Sequence, residues 1–122
     1  MALERIDWEI LDSTADDWEN LEQIFLSDCF EAVRVDAAPR RHNALALNRV
    51  QEAVLLSEIA DRIASLTEAG MLAARHEESG APVSNLTDRS YVWRAWFRMT
   101  PAGKAAWDSS EYATLAEQGQ PQ

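Results

Sequence analysis

The sequence predicts an α+β domain that is mainly helical, and two observations in its second half predict it. Apolar residues recur at helical spacing from Leu56 to Leu66, and Gly70 stands where a left-handed residue would end the helix. Apolar residues then alternate from residue 91 to residue 99, as in a strand with one buried face. We therefore expect residues 57–107 to form a helix, a β-hairpin and a final helix.

The predicted hairpin pairs a strand at residues 71–77 with one that begins at residue 91, across a polar loop over residues 78–90. Thr100 is expected to cap a C-terminal helix whose first residue is Pro101. The second strand should bury one face (Tyr91, Trp93, Ala95, Phe97, Met99) and turn the other outward (Val92, Arg94, Trp96, Arg98). Trp96 could then stack on a base or a partner side chain, or its ring and the arginine stems could pack on a neighbouring helix or protomer.

The segments LTEAGML and WFRMTPAGKAAW resemble the corresponding part of winged-helix regulators of the MarR-like and PadR-like type. The shared features are a glycine that ends a helix before the hairpin and a Thr-Pro-Ala-Gly helix start, and the resemblance covers roughly residues 50–107. It implies a winged helix-turn-helix with a β-hairpin wing. In such families the helix before the glycine enters the DNA major groove, and the hairpin touches the DNA backbone.

The first part of the chain predicts an extra N-terminal strand and one further helix. Residues 6–12 alternate through Ile6, Trp8 and Ile10. Two overlapping Ser/Thr-x-x-acid helix starts follow at residues 13–17. The helix that they begin has an apolar stripe of Trp18, Leu21, Phe25, Cys29 and Ala32. Its acids fit either a basic partner or a solvated face, and Cys29 is interpreted as a small buried hydrophobe.

Residues 44–69 contain neither glycine nor proline, yet their apolar stripes change direction. One stripe (Leu47, Val50, Val54) lies roughly 170° around the helix from the next (Leu56, Ile59, Ile63, Leu66). We therefore expect a turn between Leu55 and Ser57, so that both stripes face one core as in a helix-turn-helix. The alternative is a straight helix that is buried between two protomers.

The charge distribution weakens the expectation of nucleic-acid binding. The net charge is −10, and residues 1–36 hold eleven acids and two arginines. Only residues 89–104 are basic, with four bases and no acid, whereas DNA-binding domains usually have a basic footprint. The candidate contact residues for nucleic acid or a partner are Arg62, Arg89, Arg94, Trp96 and Arg98, with Arg40 and Arg41. The last two belong to a connector that either contacts phosphate or is simply an exposed loop.

No stretch shows recognisable catalytic chemistry, so we expect a protein that is not an enzyme and needs no cofactor or metal. His42 and His76 are far apart, and a single cysteine excludes an intrachain disulfide or a multi-cysteine zinc site. No apolar run approaches the roughly 20 residues of a membrane span, and the expected location is the cytoplasm. We expect one winged-helix domain over residues 1–117 and a disordered tail over residues 118–122.

Two functions are compatible with these expectations. The first is a regulator-like winged-helix protein that binds nucleic acid. The alternative is a protein–protein interaction module that kept the fold without DNA binding. Five tryptophans and an aromatic C-terminal helix further predict a homodimer, and the resemblance to the regulators implies that it pairs through its terminal helices.

Overall fold

The computed structural model describes residues 2–27 and 49–113 of the chain, and these residues form an α+β fold, as predicted. In chain order the elements are α1 (Arg5–Ser13), α2 (Leu21–Leu26), α3 (Arg49–Glu68), β1 (Leu72–His76), a 3-10 helix (Arg89–Trp93), β2 (Ala95–Met99) and α4 (Pro101–Ser109). The predictions for Cys29, for the connector with Arg40 and Arg41, and for residues 118–122 fall outside the described residues.

β1 and β2 form the predicted antiparallel hairpin. Leu72 pairs with Met99 at one end, and His76 pairs with Ala95 at the other. Phe97 is fully buried on the inner face of this sheet, as the alternating pattern predicted. Glu19 adds a one-residue bridge to Phe97, in which the two residues exchange backbone hydrogen bonds of 2.9 and 2.8 Å. The hairpin is thereby tied to the segment before α2.

α3 is a single helix without a break, so the predicted turn between Leu55 and Ser57 is wrong. Leu55 is buried and begins a stripe that continues through Ile59, Ile63 and Leu66, whereas Val50 and Val54 are 72% and 64% exposed. The helix therefore keeps one buried face from Leu55 onward, and Val50 and Val54 of the first apolar stripe point outward. Because no glycine or proline interrupts it, helical hydrogen bonding continues past the point where the hydrophobic phase changes.

α1 occupies the residues predicted to form an N-terminal strand, and that prediction is wrong. Glu4 and Asp7 form a capping box, in which each side chain accepts a hydrogen bond from the other residue's backbone N–H. The buried side chains of Asp7, Ile10 and Leu11 follow helical spacing. The alternation through Ile6 and Ile10 is equally a four-residue helical step, so the period-two interpretation was ambiguous over so short a segment.

α2 begins later than predicted. Its N-cap is Asn20, whose side chain accepts a hydrogen bond from the backbone N–H of Gln23 at 2.8 Å. Thr14, predicted as a helix start, instead ends α1, and its hydroxyl donates to the carbonyl of Ile10. A second capping box at Asn20 and Gln23 therefore determines where the helix starts.

Hydrogen bonds of Thr100 connect the start of α4 to the end of α3. The Thr100 hydroxyl accepts a hydrogen bond from the Gly103 N–H at 3.0 Å and donates to the Gly70 carbonyl at 2.6 Å. Its own N–H donates to the Met71 carbonyl at 3.0 Å. Gly70 has a φ of 78°, the left-handed value predicted for it. A Cβ on Gly103 would collide with the Met71 carbonyl oxygen, so the close approach requires glycine.

α1 and α4 are held together by two tryptophans. The rings of Trp8 and Trp107 stack with centroids 5.2 Å apart and planes 12° from parallel. The indole N–H of Trp8 also donates to the Trp107 carbonyl at 3.2 Å. Trp107, the aromatic residue of the C-terminal helix that was expected to join two protomers, therefore packs against Trp8 of the same chain.

Trp93 lies outside the core, contrary to prediction. The segment before β2 is a 3-10 helix capped by Asp88, which accepts a hydrogen bond from the Ser90 N–H at 3.1 Å. Its tighter winding replaces the strand alternation, so Tyr91 and Val92 are both buried and Trp93 is 54% exposed.

Candidate interaction surfaces

Two of the predicted contact arginines are held in ion pairs. Arg62 on α3 donates from Nε to Asp7 Oδ1 at 2.6 Å, and its terminal nitrogen contacts the other carboxylate oxygen of Asp7. The hydrogen bond that Arg62 donates to Asp7 is the main reason why the pKa of Arg62 is raised. Arg89 contacts Glu68 at 3.1 Å, and both of these side chains are substantially exposed. Arg62 is therefore a packing element of α1 and α3, whereas the Arg89 pair can exchange with solvent.

The outer face of the hairpin carries the aromatic and basic side chains predicted there. Trp96 is half-buried and pairs with Arg75 across the sheet, while Arg98 is exposed and pairs with Ala73. The guanidinium of Arg75 lies 4.3 Å from the ring centroid of Trp18. Such stacked cation–aromatic contacts hold an arginine against the surface while one side of it stays available.

Arg94 is exposed but does not follow the strand alternation. It is the C-cap of the 3-10 helix, with its N–H donating to the Tyr91 carbonyl at 2.9 Å. Its side chain lines small depressions beside His76 and the turn after β1. Neither Arg94 nor Arg98 is in an ion pair with another residue of the described ranges. Of the predicted contact arginines that the structure describes, these two are therefore the ones that are exposed without such an ion pair.

One depression on the structure is an open groove with a volume of about 500 Å³, which we call the Trp93 groove. It lies between α2, the first half of α3 and the end of the 3-10 helix. Its apolar lining includes Leu21, Phe25, Leu26, Leu56 and Trp93, and its acidic lining includes Glu22, Glu52 and Glu77. Leu26 is 60% exposed, so the groove opens directly to solvent.

α3 presents an acidic outer surface, which bears on any role as a recognition helix. Glu52, Glu58, Asp61 and Glu68 are all exposed, while the positive charge of Arg62 is directed onto Asp7. Acids can accept hydrogen bonds from cytosine, but they repel the phosphates that supply most of the affinity. The helix therefore lacks the charge that a nucleic-acid reader usually presents.

One acid on α1 has a markedly perturbed pKa. The pKa of Glu9 is raised to about 6, mainly because the side chain is partly buried and secondly because of the negative charge of Asp12, while Arg5 partly opposes the change. The result is a carboxylate that opposes folding when it is ionised.

Sequence reasoning missed the Trp93 groove, although one signal could have pointed to it. Asp88-Arg89-Ser90 is an Asx-type cap, a short sequence that favours a helical turn over a continuing strand. A helical turn at residues 89–93 changes which side chains face inward and moves Trp93 to the surface. Leu56 carried no separate signal, because it belongs to an apolar stripe whose exposed edge only the packing reveals.

The described part of the chain offers no obvious metal position, since no group of three His, Cys, Asp or Glu side chains converges there. No helix within residues 2–27 and 49–113 has the length and apolarity needed to cross a bilayer. No family model, curated protein or solved structure matches the chain. Conclusions about function therefore rest on the fold and on the chemistry of these surfaces.

Proposed function

We propose that this protein is a non-enzymatic protein-binding module of winged-helix architecture, and that the Trp93 groove is its binding surface. The observation that carries the proposal is the exposure of large apolar side chains around one groove. Trp93 is 54% exposed and Leu26 is 60% exposed, and both line it. Tryptophan is enriched at the centres of protein interfaces, and contiguous exposed apolar surface marks interaction sites.

The order of elements supports the winged-helix part of the proposal. α3 leads through Gly70 directly into the β1–β2 hairpin. Glu19 pairs with Phe97 of β2, on the side of β2 away from β1, as a short third strand. α4 then begins immediately after the hairpin. Because α3 is unbroken from Arg49 onward, the turn of a helix-turn-helix would have to fall before that residue.

The electrostatics favour a protein over nucleic acid as the partner. The chain carries a net charge of −10, and the acids of α3 face outward. Arg62, a base on α3 that could have met phosphate, is bound to Asp7. Non-specific affinity for nucleic acid comes mainly from phosphate contacts, and this helix offers few.

Nucleic-acid binding is the second candidate, and one observation favours it. Arg94 and Arg98 are exposed, and Trp96 lies half-buried between them in the sequence. Aromatic and arginine side chains can together hold a single strand by stacking and phosphate contact. The hairpin would then be the contact surface, in place of α3.

A second copy of the chain is the partner that we propose for the outward stripe of α3. Val50 and Val54 are one helical turn apart and strongly exposed. Pairing two α3 helices about a two-fold axis would bury this stripe without a bend in the helix. The homodimer contact would then lie on α3, and the Trp93 groove would remain open for a different protein.

A photo-crosslinking amino acid at position 93 tests the proposed function in the cells that produce the protein. We expect a covalent adduct with another protein, which is lost when Leu26→Asp is introduced beside it. The same crosslinker at Glu111, an exposed position that does not line the groove, is the matched control. Adducts with nucleic acid, or equal protein adducts from both positions, would contradict the proposal.

A further inference from the structure

The Trp93 groove combines an apolar floor with an acidic rim. Phe25 is buried at its base, and Leu56 is partly buried beside it. Trp93 also lines the groove, and next to it the Glu77 N–H donates to the Arg94 carbonyl at 3.0 Å, which holds the turn after β1 against the end of the 3-10 helix. The shape is thus set by backbone contacts as well as by side chains.

Among the residues that the structure describes, three carboxylates and no lysine or arginine line this groove. Glu22, Glu52 and Glu77 are each exposed, and none forms an ion pair with another residue that the structure describes. Three unpaired acids around one apolar depression create a negative potential there. A partner with bases beside apolar side chains would therefore find complementary chemistry.

We propose that the Trp93 groove binds a short amphipathic helix whose apolar face carries leucine-like anchors and whose flanks carry lysine or arginine. The inference rests on the proposed function and names the chemical class of its partner. A helix is favoured because the groove runs between two helices, α2 and α3, an arrangement that accepts anchors at i, i+3, i+4 and i+7. The basic flanks follow from the three carboxylates.

A second copy of this chain fits the groove poorly. A two-fold contact of groove against groove would place Glu22, Glu52 and Glu77 near the same acids of the partner. Like charges brought together at an interface oppose binding, and each copy already carries a net charge of −10. The groove therefore discriminates against self-association by charge.

Synthetic peptides of defined sequence test the inference with the full chain. The first peptide has about 16 residues with leucines at i, i+3, i+4 and i+7 and lysines on the flanks. The second replaces each lysine with glutamate, and the third keeps the lysines but scrambles the leucine spacing. Binding is followed by fluorine NMR of 5-fluorotryptophan protein, in which a Trp93→Phe variant assigns the Trp93 signal.

We expect the first peptide to shift the Trp93 signal and to bind at least about tenfold more tightly than either of the others near physiological salt. Raising the salt concentration should reduce the difference in affinity between the lysine peptide and the glutamate peptide, because the rim carboxylates are exposed and salt screens their charge.

Charge reversal at the rim gives an independent readout. Glu52→Lys with Glu77→Lys should weaken binding of the lysine peptide by about tenfold and strengthen binding of the glutamate peptide. Asp16→Lys with Glu111→Lys makes the same charge change at exposed positions that do not line the groove, and should leave the preference intact. Circular dichroism checks that both variants remain folded.

Three outcomes would overturn the inference. If the glutamate peptide binds as well as the lysine peptide, the charge class is wrong, while position-specific crosslinking at Trp93 would still support a protein-binding groove. If neither peptide shifts the Trp93 signal and the crosslinked adduct has twice the mass of one chain, the occupant is a second copy. An absence of both peptide binding and crosslinking would remove the proposed function together with the inference.

Discussion

Arg62 on α3 and Asp7 on α1 form a two-point ion pair across the core, with the Asp7 side chain fully buried. Asp7 also accepts a hydrogen bond from the Glu4 N–H at 2.8 Å, so one carboxylate caps α1 and anchors α3. The arginine keeps 26% of its side-chain surface in contact with solvent. A side chain that sequence reasoning had assigned to partner contact therefore contributes to joining two helices.

Arg62→Met should destabilise the protein by about 3–5 kcal/mol, because the buried Asp7 charge would lose its partner. Adding Asp7→Asn should recover part of this loss, since no uncompensated charge then remains. Urea unfolding of both single variants, the double variant and the parent measures the coupling energy. A loss below about 1 kcal/mol for Arg62→Met would mean that solvent already screens the pair.

Gly103→Ala should cost more stability than Gly70→Ala, although both replace a helix-terminal glycine. At Gly103 a Cβ would meet the Met71 backbone, which cannot move without disturbing the Thr100 hydrogen bonds. At Gly70 the surrounding space is open, and the cost of about 1 kcal/mol comes from the left-handed backbone alone. Thermal unfolding of the two variants compares the costs. Equal losses would show that α4 shifts to accommodate the methyl group.

Several features of the fold could be predicted because local signals and packing agreed. Gly70, Thr100 and the alternation from Ala95 to Met99 each had one physical interpretation, and the structure bears all three out. α1 was misassigned because Ile6 and Ile10 fit both strand and helix spacing. The exposure of Trp93 depends on a single 3-10 turn.

The candidate site was harder to predict than the fold. An arginine on a helix looks the same in sequence whether it meets phosphate or a buried acid, so the role of Arg62 required the position of Asp7. The Trp93 groove likewise arises from three separate segments. Its acids, Glu22, Glu52 and Glu77, converge only when α2, α3 and the hairpin turn are packed together.

Glu9→Gln should stabilise the protein at neutral pH. Burial raises the pKa of Glu9 from its ordinary value of 4.5 to about 6. The folded state therefore binds more protons than the unfolded state between these values, and stability contributed by this group falls as the pH rises through them. We expect a gain of about 1 kcal/mol at pH 7.5, after allowance for solvent screening, and little gain at pH 4.

Chemical unfolding at the two pH values measures this difference. Glu111→Gln, at an exposed position, is the control and should change stability little at either pH. A gain for Glu9→Gln that is the same at pH 4 and pH 7.5 would attribute the effect to packing and not to ionisation.

Nucleic-acid binding, if it occurs, should depend on Arg94 and Arg98. With about two phosphate contacts, the log–log dependence of affinity on salt should have a slope of about −2 for duplex DNA. Arg94→Glu with Arg98→Glu should abolish the binding and leave the fold intact, because both side chains are exposed. Titration of labelled duplex and single-stranded DNA across a salt series provides the measurement. No binding at low salt by the unmodified protein would exclude the nucleic-acid candidate.

The outward stripe of α3 should control self-association. We expect a homodimer at tens of micromolar, and Val50→Asp with Val54→Asp should convert it to a monomer by placing charge in an apolar contact. The fold should survive, because these side chains are 72% and 64% exposed. Light scattering coupled to size exclusion gives the mass. Ala102→Asp with Ala105→Asp places the same charges on the exposed face of α4 and should leave the dimer intact. If the α4 variant dissociates instead, the protomers pair through their terminal helices. A monomer mass for the unmodified chain would rule out both dimer arrangements.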